Sequence, residues 1–188
     1  DEVMAIPHEK HKKPIKPNML FRTLLKIVSL PDIIKTRFKC NKIGMERLGR
    51  KEPAFFLMNH SCFLDLEIVP TVLYPRPFNI VATTDAFIGK NWLMRQIGCI
   101  STNKFVTDMN LVRDMMHAVK KLKSSVVMFP EAGYSFDGRC VPLPDTLGKM
   151  VKMMGVPLCV IKTYGAFSFD PLYNNLQKRK VKVSADVK

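Results

Sequence analysis

No run of apolar residues in this 188-residue chain approaches the roughly 20 needed to span a bilayer as a helix. Cysteine is scarce and odd in number, five in all, and Cys40, Cys62, Cys99, Cys140 and Cys159 include no CxxC spacing. That argues against a disulfide framework and a zinc ribbon, and points to reduced, mostly buried thiols in a cytosol-facing protein. The GxSxG turn is missing, and no serine or cysteine sits among the glycines of a strained strand–helix turn, which speaks against a hydrolase built on such a nucleophile. The opening residues, DEVMAIPHEKHKKPIKPN, lack the apolar segment of a signal peptide. Neither an internal repeat nor a low-complexity tract is visible.

Acidic residues are also in deficit, 16 against 30 Lys and Arg, for a net charge of +14. A field of that sign favours anionic partners: a membrane surface, a phosphorylated substrate or nucleic acid. Nucleic acid is the poorest fit, because the chain has no aromatic-interleaved basic motif, zinc site or recognition helix. The first fifty residues hold twelve Lys and Arg against five Asp and Glu, and Lys178, Arg179, Lys180 and Lys182 form a second basic cluster. A merely solvated basic surface is the plain alternative.

Two regions are expected, a basic lead-in with a helix pair over residues 1–39 and a catalytic domain over 40–188. Pro7, Pro14 and Pro17 oppose regular structure at the start. From residue 19, Leu20, Leu24, Ile27 and Val28 recur at helical spacing, Phe21 and Leu25 broaden that face, and Arg22, Lys26 and Ser29 lie on another. Pro31 interrupts the pattern and suits the first turn of a second helix. Two short basic amphipathic helices in tandem fit an interfacial membrane element, with Leu20, Phe21, Arg22, Leu24 and Lys26 as membrane-binding residues. Packing of the pair on the domain's own core is the competing expectation.

Strands are predicted over 40–48, 54–58, 79–83, 99–103, 125–129, 158–163 and 181–187. Helices are predicted from about residue 64 to before Pro75, and over 90–97, 108–123 and 146–154, with Thr107 or Asp108 as the cap of the third. Gly155 and Pro157 close the fourth. The alternation predicts an α/β fold with a mixed, largely parallel central sheet flanked by helices, and ligands at its strand ends.

Two stretches could carry chemistry. In Met58-Asn59-His60-Ser61-Cys62-Phe63-Leu64-Asp65 an apolar strand runs into His60, and a turn can bring the Asp65 carboxylate onto the imidazole. A ring held in that way can remove a proton from a hydroxyl. A structural hydrogen bond, or Asp65 as a helix cap, is the plain alternative. In Phe129-Pro130-Glu131-Ala132-Gly133-Tyr134-Ser135 a buried strand delivers Glu131 to a loop of small residues, where it can bind hydroxyls or brace the loop.

These stretches resemble the signature blocks of the glycerolipid acyltransferases. Asn59-His60 with Asp65 matches NHxxxxD, and Phe129-Pro130-Glu131 matches the start of FPEGTR. Gly98-Cys99-Ile100-Ser101-Thr102-Asn103-Lys104 is similar to GxIFIDR, with Lys104 in place of the arginine. Val156-Pro157-Leu158-Cys159-Val160 is similar to VPIVP without its second proline. The four blocks stand in the family's order across residues 40–165. The resemblance implies transfer of a fatty acyl group from a thioester on coenzyme A or acyl carrier protein to a lysophospholipid hydroxyl, as in a 1-acylglycerol-3-phosphate O-acyltransferase. His60 would be the general base, oriented by Asp65, without an acyl-enzyme. Asn59, Lys104, Glu131 and Gly133 would contact the acceptor. Ala132 stands where the family has glycine and Tyr134 where it has arginine, and Arg139 could replace the missing guanidinium. No metal or cofactor is implied beyond the thioester co-substrate. The expected place is the cytoplasmic face of a membrane, as a peripheral or monotopic protein. The alternative is a catalytically weak or inactive basic membrane-binding protein on the same fold.

Overall fold

A computed structural model of the chain describes residues 12–102, 109–171 and 178–188. The described residues form seven strands: β1 (Lys39–Lys42), β2 (Phe55–Met58), β3 (Phe78–Thr83), β4 (Cys99–Thr102), β5 (Ser125–Met128), β6 (Leu158–Tyr164) and β7 (Ser184–Val187). They make one sheet in the order β1-β7-β6-β2-β5-β3-β4. Every pair is parallel except β6 with β7, so the expected mixed, largely parallel sheet is present. Six helices flank it: α1 (Met19–Lys35), α2 (Leu64–Leu73), α3 (Asn91–Gln96), α4 (Met109–Lys120), α5 (Leu147–Met154) and the short α6 (Ala166–Phe169).

Period-two alternation along β2 divides the core. Phe56 and Met58 face a cluster completed by α2, by Ile33 of α1 and by Met94 and Ile97 at α3. Phe55 and Leu57 face a second cluster with Leu111, Met115 and Val119 of α4 and Met154 of α5. The two phenylalanines are wholly buried, and each contributes about 2–3 kcal/mol of apolar burial. β2 stands at the centre, between β5 and β6, where the order of connections reverses. The crevice beyond the carboxyl end of such a strand is where open α/β sheets bind ligands.

Two expectations need correction. The segment around Pro31 is one helix, not a pair: α1 runs unbroken from Met19 to Lys35 with Pro31 inside it. Proline withholds a single N–H and its fixed φ is itself helical, so an exposed position tolerates it. The strand expected over 40–48 stops at Lys42. Gly44 turns left-handed at φ 77°, and Met45–Arg47 form one turn of 3-10 helix, so the alternation of Ile43 and Met45 imitated a strand. The caps proposed at Thr107 and Asp108 lie outside the described residues.

The orientation of α1 is unusual. Its inward side, packed on α2, carries Arg22, Leu25, Lys26, Ser29 and Ile33, with Ser29 and Ile33 buried. Its outward side carries Leu20, Leu24, Ile27, Val28 and Ile34, all exposed. No described helix is long and apolar enough to cross a membrane.

Candidate active site

The chain leaves β2 at Met58 and turns through Asn59–Phe63 into α2. Asp65, fully buried in the first turn of α2, organises that turn. Its Oδ2 accepts the Ser61 and Cys62 backbone N–H groups, the latter at 3.0 Å, and lies 3.2 Å from His60 Nδ1. With Oδ2 acting as acceptor throughout, Nδ1 is the donor, and in the neutral ring the lone pair then belongs to Nε2.

Two aromatic rings fix the imidazole plane. Phe129, just past β5, stacks at 3.9 Å and 19°, and Tyr134 leans over at 4.1 Å and 40°. Phe63 meets Tyr134 edge-on at 5.2 Å. The His60 side chain is 13% exposed between them. Its carbonyl accepts the Ser135 N–H at 2.9 Å, which ties the loop after β5 to the turn after β2.

Cys62, next to His60 in sequence, is no nucleophile here. Its thiol donates to the Ala166 carbonyl at 3.3 Å, and its pKa is pushed up to about 12, first by burial and then by the Asp65 charge. A thiol so held supplies almost no thiolate at neutral pH.

The remaining predicted residues fall as follows. Asn59 does not point at open space: its Oδ1 accepts the Thr163 N–H at 2.7 Å and hydroxyl at 3.1 Å, fastening the end of β2 to β6. Glu131 is half-buried beside His60 and Cys140. Burial raises its pKa, opposed by a hydrogen bond with Cys140 and by the charge of His60. Ala132 takes a left-handed φ of 55°, the conformation glycine adopts freely, which accounts for glycine as the usual residue at this place in the signature. Gly133 faces open space. Arg139 lies out on the surface, paired with Asp137 at 3.6 Å. Lys104 lies outside the described residues.

On α1, Leu20 and Leu24 are exposed while Phe21 packs edge-on against Trp92. Arg22 turns inward, donating to the carbonyls of Pro75 and Asn18, and Lys26 lies 4.3 Å over the Tyr74 ring. Their charged ends are engaged with the neighbouring protein surface. Among the described residues no group of three His, Cys, Asp or Glu is placed to hold a metal ion.

Sequence reasoning missed Thr163, Phe129 and Tyr134 as the groups that hold Asn59 and His60. The strand-end positions of Thr163 and Phe129 were the available signal, and Tyr134 was singled out only as the residue standing where the family has arginine. A cleft beside the turn, lined by Phe63, Leu64, Glu67, Phe169 and the charged Asp32, Lys35, Asp170 and Lys178, was equally unforeseen.

Comparison with known proteins bears on this geometry. The profile of the family described as Acyltransferase matches residues 39–162, which contain the whole turn and the loop after β5. The fold is similar to the crystal structure of the 1-acyl-sn-glycerophosphate (LPA) acyltransferase PlsC from Thermotoga maritima, with a TM-score of 0.63 and 16% identity, covering 89% of this chain and 67% of that one. No curated protein matches.

Proposed function

The chain belongs to the acyltransferase family, and on that premise we propose that it moves a fatty acyl group from an acyl thioester to the hydroxyl of a lysophospholipid. The thioester is carried on coenzyme A or acyl carrier protein and is a co-substrate; the reading calls for no prosthetic group. The observation that carries the proposal is the 3.2 Å contact of His60 Nδ1 with Asp65 Oδ2, in a turn whose backbone N–H groups also bind that carboxylate.

The acceptor hydroxyl gives its proton to His60 Nε2 as its oxygen attacks the thioester carbonyl carbon. Asp65 holds the tautomer and stabilises the imidazolium that forms. The tetrahedral oxyanion collapses, the C–S bond breaks, and the imidazolium returns the proton to the departing thiolate. His60 ends as it began, and no acyl-enzyme is formed. Asn59 positions the turn through Thr163, and Glu131 stands beside His60 where acceptor hydroxyls would arrive. Tyr134 occupies the place where the family's signature has arginine, so the acceptor headgroup meets an aromatic ring there.

The outward apolar side of α1 supports a place on a membrane surface, and the cytoplasmic face is the one this reading adopts. A surface helix normally buries its apolar stripe in the protein, and this one presents it to the surroundings. The basic excess suits anionic headgroups.

The test is thiol release from palmitoyl-coenzyme A with lysophosphatidic acid in detergent. Acceptor-dependent release should fall by about 10²–10⁴ in His60→Ala and in Asp65→Asn. Full activity in His60→Ala would refute the assignment of the base. A second reading, a catalytically weak membrane-binding protein on the same fold, draws on the aromatic cover that leaves His60 13% exposed. Vesicle binding without thiol release from any of several donors and acceptors would favour it.

A further inference from the structure

We propose that the crossover between β3 and β4, centred on Ile88, Trp92 and Leu93, is a second lipid-contacting element that enters the same leaflet as α1; the inference rests on the membrane reading of α1. The crossover leaves β3 through a 3-10 turn at Thr84–Phe87 and continues into α3. Its inward side chains, Phe87, Met94 and Ile97, pack against the core. Its outward ones do the reverse of what water favours: Ile88, Trp92 and Leu93 are exposed, Trp92 by 67%.

Three observations identify the occupant as a bilayer surface carrying anionic headgroups. First, the patch adjoins α1 at the edge of its outward face, because the Trp92 ring meets the half-buried Phe21 edge-on at 6.1 Å. Second, the charges beside it have the right sign. The crossover carries Lys90 and Arg95 against one carboxylate, Asp85, so its balance is basic. Third, an exposed indole next to aliphatic side chains suits the headgroup boundary, where the ring is in apolar surroundings and its N–H stays within reach of water. Two elements meeting at one aromatic contact define a plane, whereas α1 alone would leave the protein free to roll about the helix axis.

Trp92 is the sole tryptophan, so its fluorescence reads this position alone. The full chain is titrated with vesicles of three parts phosphatidylcholine to one part phosphatidylglycerol, with sedimentation measured in parallel. The inference expects a blue shift of Trp92 emission on binding and quenching by lipids brominated near the top of the acyl chains. It also expects about a tenfold weaker partition for each of Ile88→Ser and Leu93→Ser. Replacing phosphatidylglycerol by phosphatidylcholine should weaken binding and diminish the shift. Sedimentation with vesicles but an unshifted, unquenched Trp92 would overturn the inference and leave the role of α1 standing. No sedimentation at all would overturn both. A blue shift that follows protein concentration without lipid would assign the patch to a second copy of the chain and likewise overturn the inference.

Discussion

Asn59 accepts the Thr163 N–H and hydroxyl just where the backbone ladder between β2 and β6 ends at Met58 and Ile161. Its side chain thereby extends the sheet by one more set of bonds and sets the height at which His60 leaves it. Asn59→Ala would strand the buried Thr163 N–H, which costs about 1–3 kcal/mol, and would loosen the turn as well. Urea unfolding should show that loss, and acyl transfer should fall with it; unchanged stability would remove Asn59 from this role. Glu67 makes a different prediction. Its pKa is raised to about 7, first by burial and then by the charges of Asp32 and Asp170, and its Oε2 is buried without a hydrogen bond. Between the ordinary value of 4.5 and the folded value of about 7, the folded chain holds more protons than the unfolded one, so stability falls as pH rises through that window. Glu67 is partly exposed, and solvent screening reduces the cost of its charge to about 1 kcal/mol. Glu67→Gln should therefore melt above the wild type near pH 8 and together with it near pH 5, by circular dichroism. An equal gap at both pH values would show that the substitution acts through packing alone.

At the scale of elements, α1 teaches the most. The 3.6-residue period of Leu20, Leu24, Ile27 and Val28 was plain in the sequence, and so was the separate stripe of Arg22, Lys26 and Ser29. Which stripe faces the protein was not, because a period separates two faces without saying what lies beyond either one. Here the polar stripe finds partners on the end of α2, at the Pro75 carbonyl and the Tyr74 ring, and the apolar one is turned outward. If that outward stripe serves lipid, Leu24→Ser with Val28→Ser should weaken vesicle sedimentation by about tenfold or more and change unfolding free energy by only about 0.5 kcal/mol. A large loss of stability would instead identify the stripe as part of the core. The strands read more directly. β2 and β5 are short apolar runs bounded by turn residues, and parallel strands covered on both faces have that form. The segment after Lys42 misled because Gly44 turns the chain left-handed between Ile43 and Met45, whose spacing is that of a strand.

Across the whole molecule, chain order predicted a parallel α/β sheet but not which strand lies beside which. The partnership of His60 with Asp65 was legible because only four residues separate them. The Asn59–Thr163 bond and the Phe129–His60 stack join residues far apart in the chain, and only the sheet order brings them together. That order has one more consequence, for the timing of assembly. The first strand, β1, has a single partner, β7, which lies some 145 residues later in the chain. On a ribosome extending at about 5–20 residues per second, β1 waits roughly 7–30 seconds for the strand that will hold it. α1, just ahead of it, emerges with its apolar side already uncovered. If that side serves lipid, the helix reaches a lipid surface during synthesis well before the sheet closes, and attachment precedes completion of the crevice beyond β2.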